Sequence, residues 1–110
     1  MMRGTDTASK VMVSPRIGAL LSQVTEVPDL ELALWKVLSE YIDLKIAQIK
    51  QQAHEFESKW EMTFTEFAER CGSGTLDQDP YAYEVESDYW EWEAAETLLQ
   101  HYENLKAQWM

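Results

Sequence analysis

Cysteine, glycine, proline and positive charge are all scarce in this chain of 110 residues. The one cysteine, Cys71, cannot close an intrachain disulfide, and that fits a reducing, cytoplasmic setting. It is also far along the chain from both histidines, His54 and His101, so a Cys–His nucleophilic pair is not indicated. With 4 Gly and 3 Pro, the chain favours long regular elements over a loop-rich fold. No apolar run approaches the ~18 residues of a membrane span, and the opening "MMRGTDTASKVMVSP" has no secretory apolar core. Repeated Glu-x-x-His units, as needed for a di-metal bundle, are missing. His54 beside Glu55 and Glu57, and His101 beside Glu96, read as surface polar pairs. "GSGT" has no following Lys and no strand–helix context for a phosphate loop. The expectation is a non-enzymatic protein without metal or cofactor.

Basic residues are missing from one half in particular. Residues 1–60 hold seven Lys/Arg against eight Asp/Glu, whereas residues 61–110 hold two (Arg70, Lys106) against twelve. The net charge of −11 therefore lies almost wholly in the second half. Such a surface repels phosphates, so nucleic acid is not indicated as a direct partner; Arg3, Lys10 and Arg16 are too sparse to reverse that. A basic protein partner suits it, through electrostatic steering and complementary potential.

What the chain does have is helical periodicity. Residues 1–14 show no period and read as a flexible arm, followed by a single helical domain over 15–110. Ser14–Pro15 opens a short helix, "PRIGALLSQV", which "TEVPD" interrupts. From Asp29, a suitable N-cap, to Trp60 there is no Gly or Pro. One apolar line runs Leu30, Leu34, Val37, Tyr41, Leu44. A second runs Trp35, Leu38, Ile42, Ile46, Ile49, Ala53, Phe56, Trp60. A helix this long extends ~45 Å, more than one small domain covers. It is therefore expected to meet a second chain through Leu34, Trp35, Leu38, Tyr41, Ile42, Ile49 and Phe56, giving a homo-oligomer. The alternative is a monomeric bundle in which this helix bends or breaks.

"MTFTEFAERCGSG" predicts a short helix, with Thr63 and Glu66 at capping-box spacing and Gly72 and Gly74 ending it. In "YAYEVES" the period becomes two, predicting a short extended segment near 81–86. From Ser87, a candidate N-cap, the pattern is helical again. Trp90 and Trp92 then point about 200° apart. Trp92 joins Ala95, Leu99 and Tyr102, while Trp90 lies beside Ala94, Leu98 and His101. Asp88 and Glu91 fall near the edge of the apolar arc, within reach of a Lys or Arg from elsewhere. Aromatics framed by carboxylates suit binding to a basic surface. The candidate partner-binding residues are Tyr83, Glu84, Glu86, Asp88, Tyr89, Trp90, Glu91 and Trp92. The expected fold is an all-α helical bundle with a long central helix and an acidic C-terminal helix.

From Met62 to Tyr102, "MTFTEFAER", a Gly-containing turn and "YAYEVESDYWEWEAAETLL" resemble the TumA-like antitoxins of bacterial type II toxin–antitoxin systems. The resemblance rests on Met62, Phe64, Phe67, Tyr83, Asp88, Tyr89, Glu91 and Trp92, and covers under half of the chain. It implies an antitoxin that binds and neutralises a small basic RNase-type toxin, with the acidic helix over the toxin's cationic surface. The two-residue period of "YAYEVE" adds a separate expectation, that this segment joins a sheet edge of the toxin. The competing expectation is a structural homo-oligomer whose acidic helix only keeps it soluble.

Overall fold

The computed structural model describes residues 12–110. Most of the predicted N-terminal arm, residues 1–11, lies outside the described residues. Four helices follow in order: α1 (Pro15–Thr25), α2 (Leu30–Trp60), α3 (Phe64–Ser73) and α4 (Tyr83–Trp109). Among the described residues there is no strand, and no helix is long and apolar enough to cross a membrane. The chain divides after Tyr41 into two compact units, and α2 is continuous through the division.

The first unit is small. Ser14 Oγ accepts from the Ile17 backbone N–H at 3.2 Å, with Pro15 in the first turn of α1, so this end of the helix is satisfied by the residues that predicted it. At the other end Glu26 takes a left-handed conformation, φ 58°, and its N–H returns to Ser22 O. Thr25 is buried: its hydroxyl donates to Leu21 O at 2.6 Å and accepts from Val27 N at 3.2 Å. Lys36 Nζ donates to Thr25 O. Asp29 Oδ1 caps α2 by accepting from Leu32 N at 3.0 Å. Ala33 is the buried apolar residue on this part of α2.

The second unit contains the main core. Ala53, Phe67, Val85 and Trp92 are buried, and Phe56, Trp60, Met62, Phe64 and Tyr89 pack against them. Trp92 is the hub, with ring centroids 5.6 Å from Phe56, 5.2 Å from Phe67 and 5.5 Å from Phe64. These separations lie in the attractive range for aromatic pairs. A turn through Glu61, φ 56°, reverses the chain between α2 and α3. The capping box at the start of α3 is complete: Thr63 Oγ1 accepts from Glu66 N, and Glu66 Oε1 accepts from Thr63 N. Gly74, φ 73°, ends the helix, whereas Gly72 lies within it and supplies no positive angle. α4 returns antiparallel to the second half of α2, tied by Lys106–Asp43 at 2.8 Å and Lys50–Glu103 at 3.8 Å.

Two expectations about residues 81–87 are corrected. The segment near 81–86 is not extended; helix begins at Tyr83, with Ala82 as its N-cap. Ser87 lies inside α4, where its hydroxyl donates to Glu91 Oε2 at 3.3 Å. The physical reason is burial. Val85, Asp88, Trp92 and Ala95 are all buried at three- and four-residue spacing, whereas Tyr81 and Tyr83 of the two-residue row are 83% and 87% exposed. One buried residue in three gives alternation nothing to pack against. The reversal before α4 is held by Asp79, whose Oδ1 accepts from Tyr81 N and whose carbonyl accepts from Ala82 N. Glu84 and Glu86 then suit the first helical turn through the helix dipole.

Candidate protein-binding face of the C-terminal helix

The eight candidate binding residues split between two sides of α4. Trp92 is 1% exposed and belongs to the core. Tyr89 packs on the same cluster, 5.6 Å from Phe64. Asp88 is buried and already partnered: its Oδ2 accepts from Trp60 Nε1 at 2.9 Å and from Lys59 Nζ at 2.6 Å. Lys59 also approaches Glu84 at 3.6 Å and the Trp60 ring at 5.6 Å. Hydrogen bonding to Asp88 raises the Lys59 pKa above its ordinary value, with burial opposing and the charges of Asp88 and Glu84 adding. The edge position of Asp88 thus meets a lysine, as expected, but one from this chain. Asp88 and Trp92 hold the fold and are not offered at the surface.

Tyr83, Glu84, Glu86, Trp90 and Glu91 remain exposed. At about 100° per residue, Trp90 points opposite the Val85–Trp92 side of the helix. Two shallow depressions meet at its ring. Cys71, Pro80, Tyr81, Glu86 and Tyr89 help to line one; Glu93, Ala94, Thr97, Leu98 and His101 line the other. Trp90 itself is 61% exposed, and its ring stands edge-on to Tyr89 at 5.9 Å. Carboxylates flank this apolar row on both sides, Glu86 and Glu93 along one and Glu84 and Glu91 along the other. An exposed tryptophan with small apolar recesses beside it and carboxylates around it can receive aliphatic stems and cationic heads together, as Lys and Arg present them.

The sequence places Ala94, Leu98 and His101 beside Trp90, yet these residues, with Tyr81 and Glu93, are not among the eight candidates. The i, i+4 row Trp90–Ala94–Leu98 was the available signal. The contact of Lys59 with Asp88 had none, because the partners lie on different helices.

Burial pushes the Cys71 thiol up from its ordinary value, which disfavours the nucleophilic thiolate. Burial, then the nearby charges of Glu57 and Glu103, raises the Glu96 carboxyl. Among the described residues no group of His, Cys, Asp and Glu is placed to hold a metal ion.

On α2, Trp35, Leu38 and Tyr41 are 46%, 53% and 50% exposed, and Leu34 and Ile42 are half-buried. Ile49 and Phe56, the other two residues expected at an oligomer contact, are taken up inside the chain: Ile49 is 5% exposed and Phe56 stacks on Trp92.

No family model matches the chain, and comparison with curated proteins and with solved structures gives no match either. Met62, Phe64, Phe67, Tyr89 and Trp92, which carry much of the resemblance to TumA-like antitoxins, all belong to the core or pack against it.

Proposed function

We propose that this protein is an antitoxin-like inhibitor that binds a small basic RNase-type toxin and neutralises it by covering its cationic surface. The observation that carries the reading is Trp90, exposed between two apolar recesses on the acidic side of α4. An RNase surface must attract phosphate, so its lysines and arginines are the complement of Glu84, Glu86, Glu91 and Glu93. Carboxylates steer the encounter, and Trp90 with Tyr83 and Leu98 anchors the complex once water is excluded. No reaction is performed; RNA loses access because its phosphate-binding groups are already paired. Sheet-edge addition has no part in this mechanism, since the backbone from Tyr83 onward is committed to helix.

The experiment is capture. The tagged chain is expressed with the products of its neighbouring genes, and stoichiometric partners are identified by mass. A small basic protein that is retained, released by salt, and lost with Trp90→Ala supports the reading. Capture of no such protein removes it.

A further inference from the structure

We propose that the recess between the end of α3 and the start of α4 takes one arginine guanidinium of the protein partner. The proposal deepens the antitoxin reading and rests on it for the partner's being a protein. The recess lies wholly within the second compact unit. Its volume is about 290 Å³, at the small end of ligand pockets and suited to one side-chain head. Tyr81, Tyr89 and Trp90 line it together with Pro80 and Cys71, and Glu86 is its one charged residue. The Tyr89 and Trp90 rings meet at 86° with centroids 5.9 Å apart, so they form an aromatic corner.

Aromatic faces attract a cation, most strongly where water is displaced. Glu86 supplies the countercharge, and it is uncommitted. Its backbone N–H returns to Ala82 O, but its carboxylate makes no hydrogen bond or ion pair among the described residues. Glu84 and Glu91, by contrast, already meet Lys59 at 3.6 Å and Ser87 at 3.3 Å. The other depression beside Trp90 has Glu93 but neither tyrosine. Among cations, guanidinium suits this set best. It is planar, stacks on rings, and pairs with a single carboxylate through two parallel N–H donors. A lysine ammonium is more strongly hydrated, and one carboxylate replaces little of that hydration.

NMR titration of the purified, ¹⁵N-labelled full chain tests this. The probes are N-acetylarginine methylamide and its lysine counterpart, each added at constant ionic strength. The Trp90 indole N–H signal is identified by its loss in Trp90→Phe. The arginine derivative is expected to shift that signal saturably, binding about threefold or more tighter than the lysine derivative. Glu86→Gln weakens the arginine complex by a similar factor. Glu55→Gln, which removes the same charge outside the recess, does not. Unchanged circular dichroism shows that the loss is one of binding. Equal responses to the two derivatives overturn the proposal, because charge alone then accounts for them. An unmoved Trp90 signal overturns it too, and so does a Glu86→Gln variant that binds like the parent. No toxin enters this titration, so its failure strikes the arginine site and not the antitoxin reading. Harmless neighbouring genes would strike that reading and leave the recess an arginine site.

Discussion

Trp90 and Trp92 stand two residues apart, and their replacement by alanine should differ severalfold in its cost to stability. Trp92 is 1% exposed and contacts three aromatic rings. Burying a tryptophan removes ~200–250 Å² from water, or about 5–6 kcal/mol at 25 cal/mol per Å². That is an upper bound, because the unfolded chain already shields some of the surface. Large-to-small replacements at such sites cost roughly 3–5 kcal/mol. Against a total stability of about 5–15 kcal/mol for a small domain, Trp92→Ala should remove a large share of it and lower Tm by some 15–25 °C. Trp90 is 61% exposed, so by the same rule Trp90→Ala should cost at most about 2 kcal/mol, less a few tenths regained because alanine is the better helix former. Urea unfolding followed by far-UV circular dichroism, at one fixed protein concentration, measures both. The separation of binding face from core is refuted if the two variants unfold at the same urea concentration. It is equally refuted if Trp92→Ala lies within about 1 kcal/mol of the parent.

Three further outcomes follow from the same geometry. Asp88→Ala should destabilise by about 2–4 kcal/mol, since it strands the Trp60 indole N–H and loses a charge-assisted bond to Lys59. Asp88→Ala in a Trp60→Phe background should cost measurably less, and full additivity in that double-mutant cycle would rule out the contact. Glu96, whose carboxyl is raised chiefly by burial, binds its proton more tightly folded than unfolded, so its ionisation lowers stability as pH rises through the window between the unfolded and folded pKa values. Glu96→Gln should therefore be more stable than the parent at neutral pH, with the gap closing below the ordinary glutamate range; a gap that widens in acid would contradict this. Glu61 holds φ 56° after α2, so Glu61→Gly should stabilise by roughly 0.5–1 kcal/mol in thermal melts, and a lowered Tm would count against the strain.

Much of the helix layout was legible because it is locally encoded. Ser14, Asp29 and Thr63 with Glu66 each satisfy their own helix ends, and such caps depend on residues three positions away. The opposed directions of Trp90 and Trp92 follow from helix geometry alone. The start of α4 was not legible, because the choice between alternation and helix at Tyr81–Val85 depends on which side chains meet α2 and α3. Val85 is buried with Ala53 and Phe67, whereas Tyr81 and Tyr83 stay largely exposed. The same limit governs the site. Composition marks Glu84–Trp92 as acidic and aromatic, but only packing assigns Asp88 to Lys59 and Trp60. Ile49 and Phe56 read as oligomer contacts for a related reason: the stripe on α2 is uniform, and α4 covers its second half.

Neutralisation is the most direct test of the binding face. Each small basic neighbour is expressed alone, then with this protein, then with Trp90→Ala or with Glu86→Lys and Glu93→Lys together, and growth is followed. The account predicts that one neighbour arrests growth and that the intact protein restores it. Both sets of surface changes should abolish the rescue while leaving the helical spectrum intact. Rescue undiminished by these substitutions would contradict the assignment of the face, and a set of harmless neighbours would contradict the antitoxin function itself.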